Sequence, residues 1–271
     1  MLFIPEDVHY DILYTNGCSM TNHSPLEDHE KWPTHLAEIM NIPEVINNAQ
    51  GMGSNYRIFR TAYNAVKNFP ENKKVLAIIQ LTVPFRFEYP RDLSHDLSQK
   101  EHMWQRYNTQ SFSNEKLDTA SDVKKYFANY QNDYQIPPSD DIIQCAINGY
   151  RLHKTKITTY NDQTEAYELL MQANAISNIF KSNNIDCYFL TFNCSEFMRT
   201  GIEDHVDFST VNWMYENPYD SQINRFYAEH MPDGWQVSET DGHPNGLGNQ
   251  IIAERMYNRL IGKDTRIKFR P

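Results

Sequence analysis

The chain has 271 residues, a formal net charge of -10 and 40% apolar residues. That length has room for one α/β domain with insertions or for two small domains, and the acidic balance argues against a sequence-independent nucleic-acid binder, which needs a basic footprint. A mean hydropathy of -0.68, with no run near the ~18 apolar residues of a spanning helix, argues against membrane spans. Met1–Asp7 has neither a basic n-region nor a long apolar stretch, so no signal peptide is expected. A cytoplasmic or virion-associated location is the resulting expectation. The four cysteines, Cys18, Cys145, Cys187 and Cys194, show no CxxC spacing and read as reduced thiols. The ten histidines lack paired ligand spacing, so no metal site is expected.

The first half alternates strand and helix patterns. Tyr10–Thr15 is an apolar strand ending in Asn16-Gly17, and Trp32, Leu36, Ile39 and Met40 recur at helical spacing. Val45–Ala49 predicts a second strand, followed by Gly51-Met52-Gly53 and the helix-capping residues Ser54 and Asn55 of a helix over about 56–66. Val75-Leu76-Ala77-Ile78-Ile79 has no polar alternation, as in a strand of a parallel sheet covered on both faces.

After Pro84 the periodicity collapses. Residues 90–160 are polar and tyrosine-rich, with short helical patterns at Val123–Tyr130 and Asp141–Ile147, and read as a long insertion large enough to form a lid. Regular structure returns with the apolar stripe Ala166, Leu169, Leu170, Ala173, Ile176 and Phe180, predicting a core-facing helix over about 164–182. Cys187–Phe192 predicts a fourth strand. An irregular region covers about 193–218, then a helix near 219–230 and a last helix over Asn245–Leu260, with Pro244 expected at its first position. This order predicts an open parallel sheet with helices on both faces. Ligands in such sheets bind beyond the carboxyl ends of the strands, where Ser19, Gly53 and Thr82 all fall.

Two segments supply chemistry. Ser19 follows the first strand, and Asp241-Gly242-His243 precedes the last helix. A serine hydroxyl is a poor nucleophile at neutral pH; it needs an imidazole base, and the imidazole needs a carboxylate to fix its tautomer. Other roles are open: Ser19 as a helix cap, Asp241-Gly242 as a plain turn, and the adjacent Cys18 as the nucleophile.

Taken together, Gly17-Cys18-Ser19-Met20-Thr21, Asn48-Ala49-Gln50-Gly51-Met52-Gly53-Ser54-Asn55 and Asp241-Gly242-His243-Pro244-Asn245 resemble, in order and rough spacing, the blocks of the SGNH (GDSL-like) hydrolase family. The resemblance covers about 10–90 and 160–260 and leaves 90–160 outside it. It implies a three-layer α/β/α flavodoxin-like fold with a central parallel sheet, carried as one domain over 1–271 with the insertion. It also implies a Ser19–His243–Asp241 triad and an oxyanion hole from the Ser19 and Gly53 N–H groups. The family's third block ends in an asparagine that donates to the oxyanion; here the stretch reads Gln80-Leu81-Thr82-Val83-Pro84-Phe85-Arg86. Thr82 or Asn55 is then the expected replacement donor, and Arg86 a candidate substrate contact, an ordinary ion pair with Glu88 being its other reading.

The expected function is a serine esterase acting on a small ester or an acetylated glycan, with a carbohydrate O-acetyl ester preferred and no cofactor required. The alternative is an SGNH-like module with weak or no activity, kept as a glycan-binding or structural part. The abundance of Asn and Tyr suits a viral or AT-rich microbial origin.

Overall fold

Strand β1 (Ile12–Asn16) is buried along its whole length. It lies between β2 (Glu44–Asn47) and β3 (Val75–Leu81), and β3 pairs on its other side with β6 (Asp186–Thr191). All three pairings are parallel, giving the order β2-β1-β3-β6. The computed structural model describes residues 3–83 apart from 6, 24 and 52; 86–90, 104–108 and 119–129; isolated positions between 140 and 155; and 162–191, 207–215, 221–223, 233–238 and 241–263.

The two faces of the sheet are read off the alternation of side chains along β3. Val75, Ala77, Ile79 and Leu81 join Ile12 and Tyr14 against helices α2 (Asn55–Val66) and α4 (Asp162–Ser182). Leu76 and Ile78 join Leu13 on the other face, against α1 (Trp32–Met40) and α5 (Gly246–Leu260). Each fully buried Leu, Ile or Phe on these faces contributes about 1.5–3 kcal/mol. Helices on both faces of this parallel sheet give a three-layer α/β/α arrangement, as the segment order predicts.

Local signals behave as their chemistry requires. Ser54 caps α2, its hydroxyl accepting from the Arg57 N–H at 3.1 Å. Asn245 caps α5, accepting from the Gly248 N–H at 3.1 Å. Pro244 therefore stands just before the cap and not at the first helical position.

Another correction concerns the helix expected near 219–230. Of that stretch, residues 221–223 are described, and they run beside β6: the Thr191 N–H donates to Ser221 O, and the Ile223 N–H donates to Thr191 O at 2.7 Å. Residues 224–230 lie outside the described residues. Within the irregular region, Trp213 likewise bridges to Phe189 in parallel. Short extended pieces of this kind have too few residues to show a period in sequence.

Contacts divide the chain into two compact units, 1–84 with 162–271, and 85–161. In the second, β4 (Arg86–Pro90) pairs antiparallel with β5 (Trp104–Asn108), and α3 (Ala120–Asn129) begins after Thr119, whose hydroxyl accepts the Asp122 N–H. Most of the helical pattern at 141–147 falls outside the described residues.

Candidate active site

The loop carrying Ser19, the candidate nucleophile, is set by buried amides beneath it. Asn16, fully buried at the end of β1, accepts the Gly17 N–H and donates to Ile58 O and the Thr61 hydroxyl. Gln80, fully buried on β3, accepts the Cys18 N–H at 3.2 Å and the Thr21 hydroxyl at 3.0 Å. Thr21 and Asn22 turn back to the Cys18 carbonyl, closing a tight loop around Ser19. Gly17 fits because a side chain there would sit 2.7 Å from both Gln80 Oε1 and Thr21 Oγ1. Cys18 is buried with its sulfur 3.4 Å from the Gln80 amide. That burial weighs against Cys18 as the nucleophile.

His243, the candidate base, is delivered by a turn from the far end of the chain. Asp241 Oδ1 accepts the His243 backbone N–H at 3.1 Å, and the Val237 N–H donates to His243 O at 2.9 Å. Asn249 on α5 holds the carbonyls of Pro244 and Asn245, both at 3.0 Å.

These two segments meet. His243 Nε2 lies 2.8 Å from Ser19 Oγ, and His243 Nδ1 lies 2.5 Å from Asp241 Oδ1. A carboxylate only accepts, so Nδ1 bears the proton and Nε2 is left to accept from the serine. The hydrogen bonds from the His243 ring and then its backbone N–H hold the Asp241 carboxyl below its usual range. His243 and Asp241 are partly open to solvent, at 28% and 33%.

The expected oxyanion donors divide. Among the described residues, the Ser19 N–H has no hydrogen-bond acceptor. The Gly53 N–H, expected to serve with it, instead donates to Gln50 O at 2.9 Å in a turn. Asn55 is occupied by the fold: its oxygen accepts the Thr82 N–H at 2.8 Å and its nitrogen donates to Thr82 O at 2.9 Å. This pair ties the start of α2 to the end of β3. Thr82 is buried at the carboxyl end of β3. The Arg86 side chain lies outside the described residues.

His23 was not singled out by sequence reasoning, because a lone loop histidine has no distinguishing pattern. Its ring stacks on that of His243 with centroids 4.1 Å apart and planes 6° from parallel. Its Nε2 lies 3.2 Å from Asp241 Oδ2, off the line of an N–H hydrogen bond. Burial, then the neighbouring His243, lowers the His23 pKa. The ligand atoms of His23, Asp241 and His243 lie within 4.8 Å of one another. In-plane lone pairs of stacked rings cannot meet at one point, so this is poor metal geometry.

No family model and no curated protein matches the sequence. Solved structures do resemble the chain in outline. A member of the lipolytic protein G-D-S-L family from Veillonella parvula is 10% identical, with 94% of this chain and 99% of that one covered and a TM-score of 0.40. The psychrotrophic esterase EstA from Pseudoalteromonas sp., in a structure inhibited by monoethylphosphonate, is 11% identical over 92% and 96% of the chains, with a TM-score of 0.45. Phospholipase A1 from Streptomyces albidoflavus is 8% identical over 92% and 98%, with a TM-score of 0.41. At these identities and TM-scores the likeness is one of outline and transfers neither family nor substrate. Among the described residues, no helix is long and apolar enough to cross a membrane.

Proposed function

We propose that the protein is a serine ester hydrolase of the SGNH type. The observation that supports this reading best is the continuous chain Ser19 Oγ–His243 Nε2, His243 Nδ1–Asp241 Oδ1, assembled beyond the carboxyl ends of β1 and β3. Ser19 Oγ attacks the ester carbonyl carbon while its proton passes to His243 Nε2. Asp241 stabilises the imidazolium that forms. The tetrahedral oxyanion takes a hydrogen bond from the Ser19 N–H, with the Thr82 hydroxyl as second donor. Collapse breaks the bond to the alcohol, which leaves with the proton from His243. Water, deprotonated by the same imidazole, then releases the acid and restores Ser19. Acetylated glycans are the substrate class proposed first, the reaction requiring no cofactor.

The test is hydrolysis of p-nitrophenyl acetate together with labelling by a fluorophosphonate, followed by mapping of the modified residue. Turnover that disappears in Ser19→Ala, with the label on Ser19, is expected. Turnover that survives Ser19→Ala, or a label placed elsewhere, would remove the nucleophile. Absence of both turnover and label would favour a non-catalytic glycan-binding module, which binding to immobilised acetylated oligosaccharides would then test.

A further inference from the structure

We propose that His23 is a positioning residue: its ring, stacked on His243 and placed against Asp241 Oδ2, clamps the turn bearing the base onto the loop bearing the nucleophile. The kinetic part of this proposal rests on the esterase reading above; the geometric part does not.

The first argument is mechanical. Asp241 tethers the His243 ring at Nδ1 only, so the ring is free to swing about that contact and carry Nε2 away from Ser19. A flat surface 4.1 Å away and 6° from parallel blocks one side of that swing. His23 is suited to this because it shares a loop with Ser19, and the Asn22 side chain pins that loop to Ala49 O at 2.8 Å. Among the described residues no backbone hydrogen bond links the two segments, so the stack joins them beside the Ser19–His243 contact whose separation it holds.

The second argument concerns the carboxylate. Asp241 has two oxygens, and only Oδ1 faces His243. With His23 Nε2 3.2 Å from Oδ2, rotation of the carboxylate would bring a charged oxygen out of reach of both rings. The approach is off the hydrogen-bonding line, so it acts as a charge–dipole contact and the stack supplies most of the constraint.

The third argument is charge. Proton transfer from Ser19 makes His243 cationic in every cycle, and a second cation stacked on it would oppose that step. Burial is the largest effect keeping His23 neutral. His243 and Lys31 act in the same direction, and Asp241 opposes them. A neutral imidazole presents its ring face to the developing cation, which is favourable.

The experiment compares His23→Leu, which fills similar space without a flat ring, with His23→Phe, which restores the ring without nitrogens, in the full chain. We expect His23→Leu to lower kcat about 10-fold or more with KM within about twofold, since small misplacements of a reacting group are costly in the transition state only. His23→Phe should recover most of kcat. The downfield proton resonance of His243 Nδ1 should persist in wild type and His23→Phe and broaden by exchange in His23→Leu. Thermal melts confirm folding, and His23→Gln replaces His23→Leu if the latter does not fold. The proposal is overturned if the ringless variant matches wild type in kcat and in the Nδ1 resonance, or if the ringless and Phe variants lose kcat equally. If wild type shows no turnover, the esterase reading fails, and the resonance alone decides: broadening in the ringless variant upholds the clamp, and an unchanged signal overturns it.

Discussion

Asn249 Oδ1 accepts the backbone N–H of Trp32 at 3.1 Å, while its amide nitrogen donates to the carbonyl of Pro244, next to His243. A single buried side chain thus satisfies an unpaired N–H in the first turn of α1 and fixes the turn carrying His243. Asn249→Leu leaves these groups unpaired and should cost about 1–3 kcal/mol in urea unfolding. It should also lower kcat, because the His243 turn loses its tether. An unchanged unfolding midpoint would contradict this.

Cys18 and Ser19 are neighbours with opposite surroundings. The Cys18 thiol is sealed against Gln80, whereas the Ser19 hydroxyl reaches His243. Cys18→Ala should therefore keep most esterase activity. Activity lost in Cys18→Ala but kept in Ser19→Ala would reverse the assignment.

Asp241 links activity to pH. A carboxyl with a lowered pKa stabilises the folded state above the ordinary carboxylate range, about 3.9, and that contribution is lost as pH falls through the lowered value. The melting temperatures of wild type and Asp241→Asn should differ most near neutrality and converge in strong acid. At neutral pH, Asp241→Asn should lose about 10⁴-fold in kcat through the wrong tautomer. A melting difference that grows in acid would show that the carboxylate is not the stabilising form.

Gly53 is required by close approach. A side chain there would lie 2.9 Å from Gln50 O and 3.2 Å from Gly17 O, both backbone atoms with little freedom to yield. Gly53→Ala should displace the Gly17 loop and reduce kcat about 10-fold or more, as misplaced catalytic groups do. Kinetics matching wild type would show that the loop has room.

Thr82 and Asn55 are separable. Thr82→Val removes only a hydroxyl and should lower kcat about 10-fold with KM little changed, as expected for a donor used mainly in the transition state. Asn55→Leu breaks the side-chain bridge to the Thr82 backbone and should act on stability, seen in the unfolding midpoint. If Thr82→Val has no effect on turnover, the second oxyanion donor lies elsewhere.

The sequence by itself determined the layers and the order of the parts. Unbroken apolar runs such as Val75–Ile79 require a sheet covered on both faces, and the stripe from Ala166 to Phe180 admits one helical face. These are local signals, since side-chain period is a property of the backbone at that position. Cap chemistry at Ser54 was legible for the same reason, whereas Asn245 is the cap and not the first helical residue, and Pro244 misled by two positions because it fits before a cap as well as after it. What the tertiary structure decided was everything that depends on contact between distant segments. It placed Ser19 Oγ 2.8 Å from a histidine 224 residues away and turned the neighbouring Cys18 inward. It engaged the Gly53 N–H and the Asn55 amide within the fold, although both occur in a stretch that resembles a donor block. It also set His23 flat against His243. Hydrogen-bond direction and ring stacking depend on where two chain segments cross, and no residue pattern within either segment encodes that crossing.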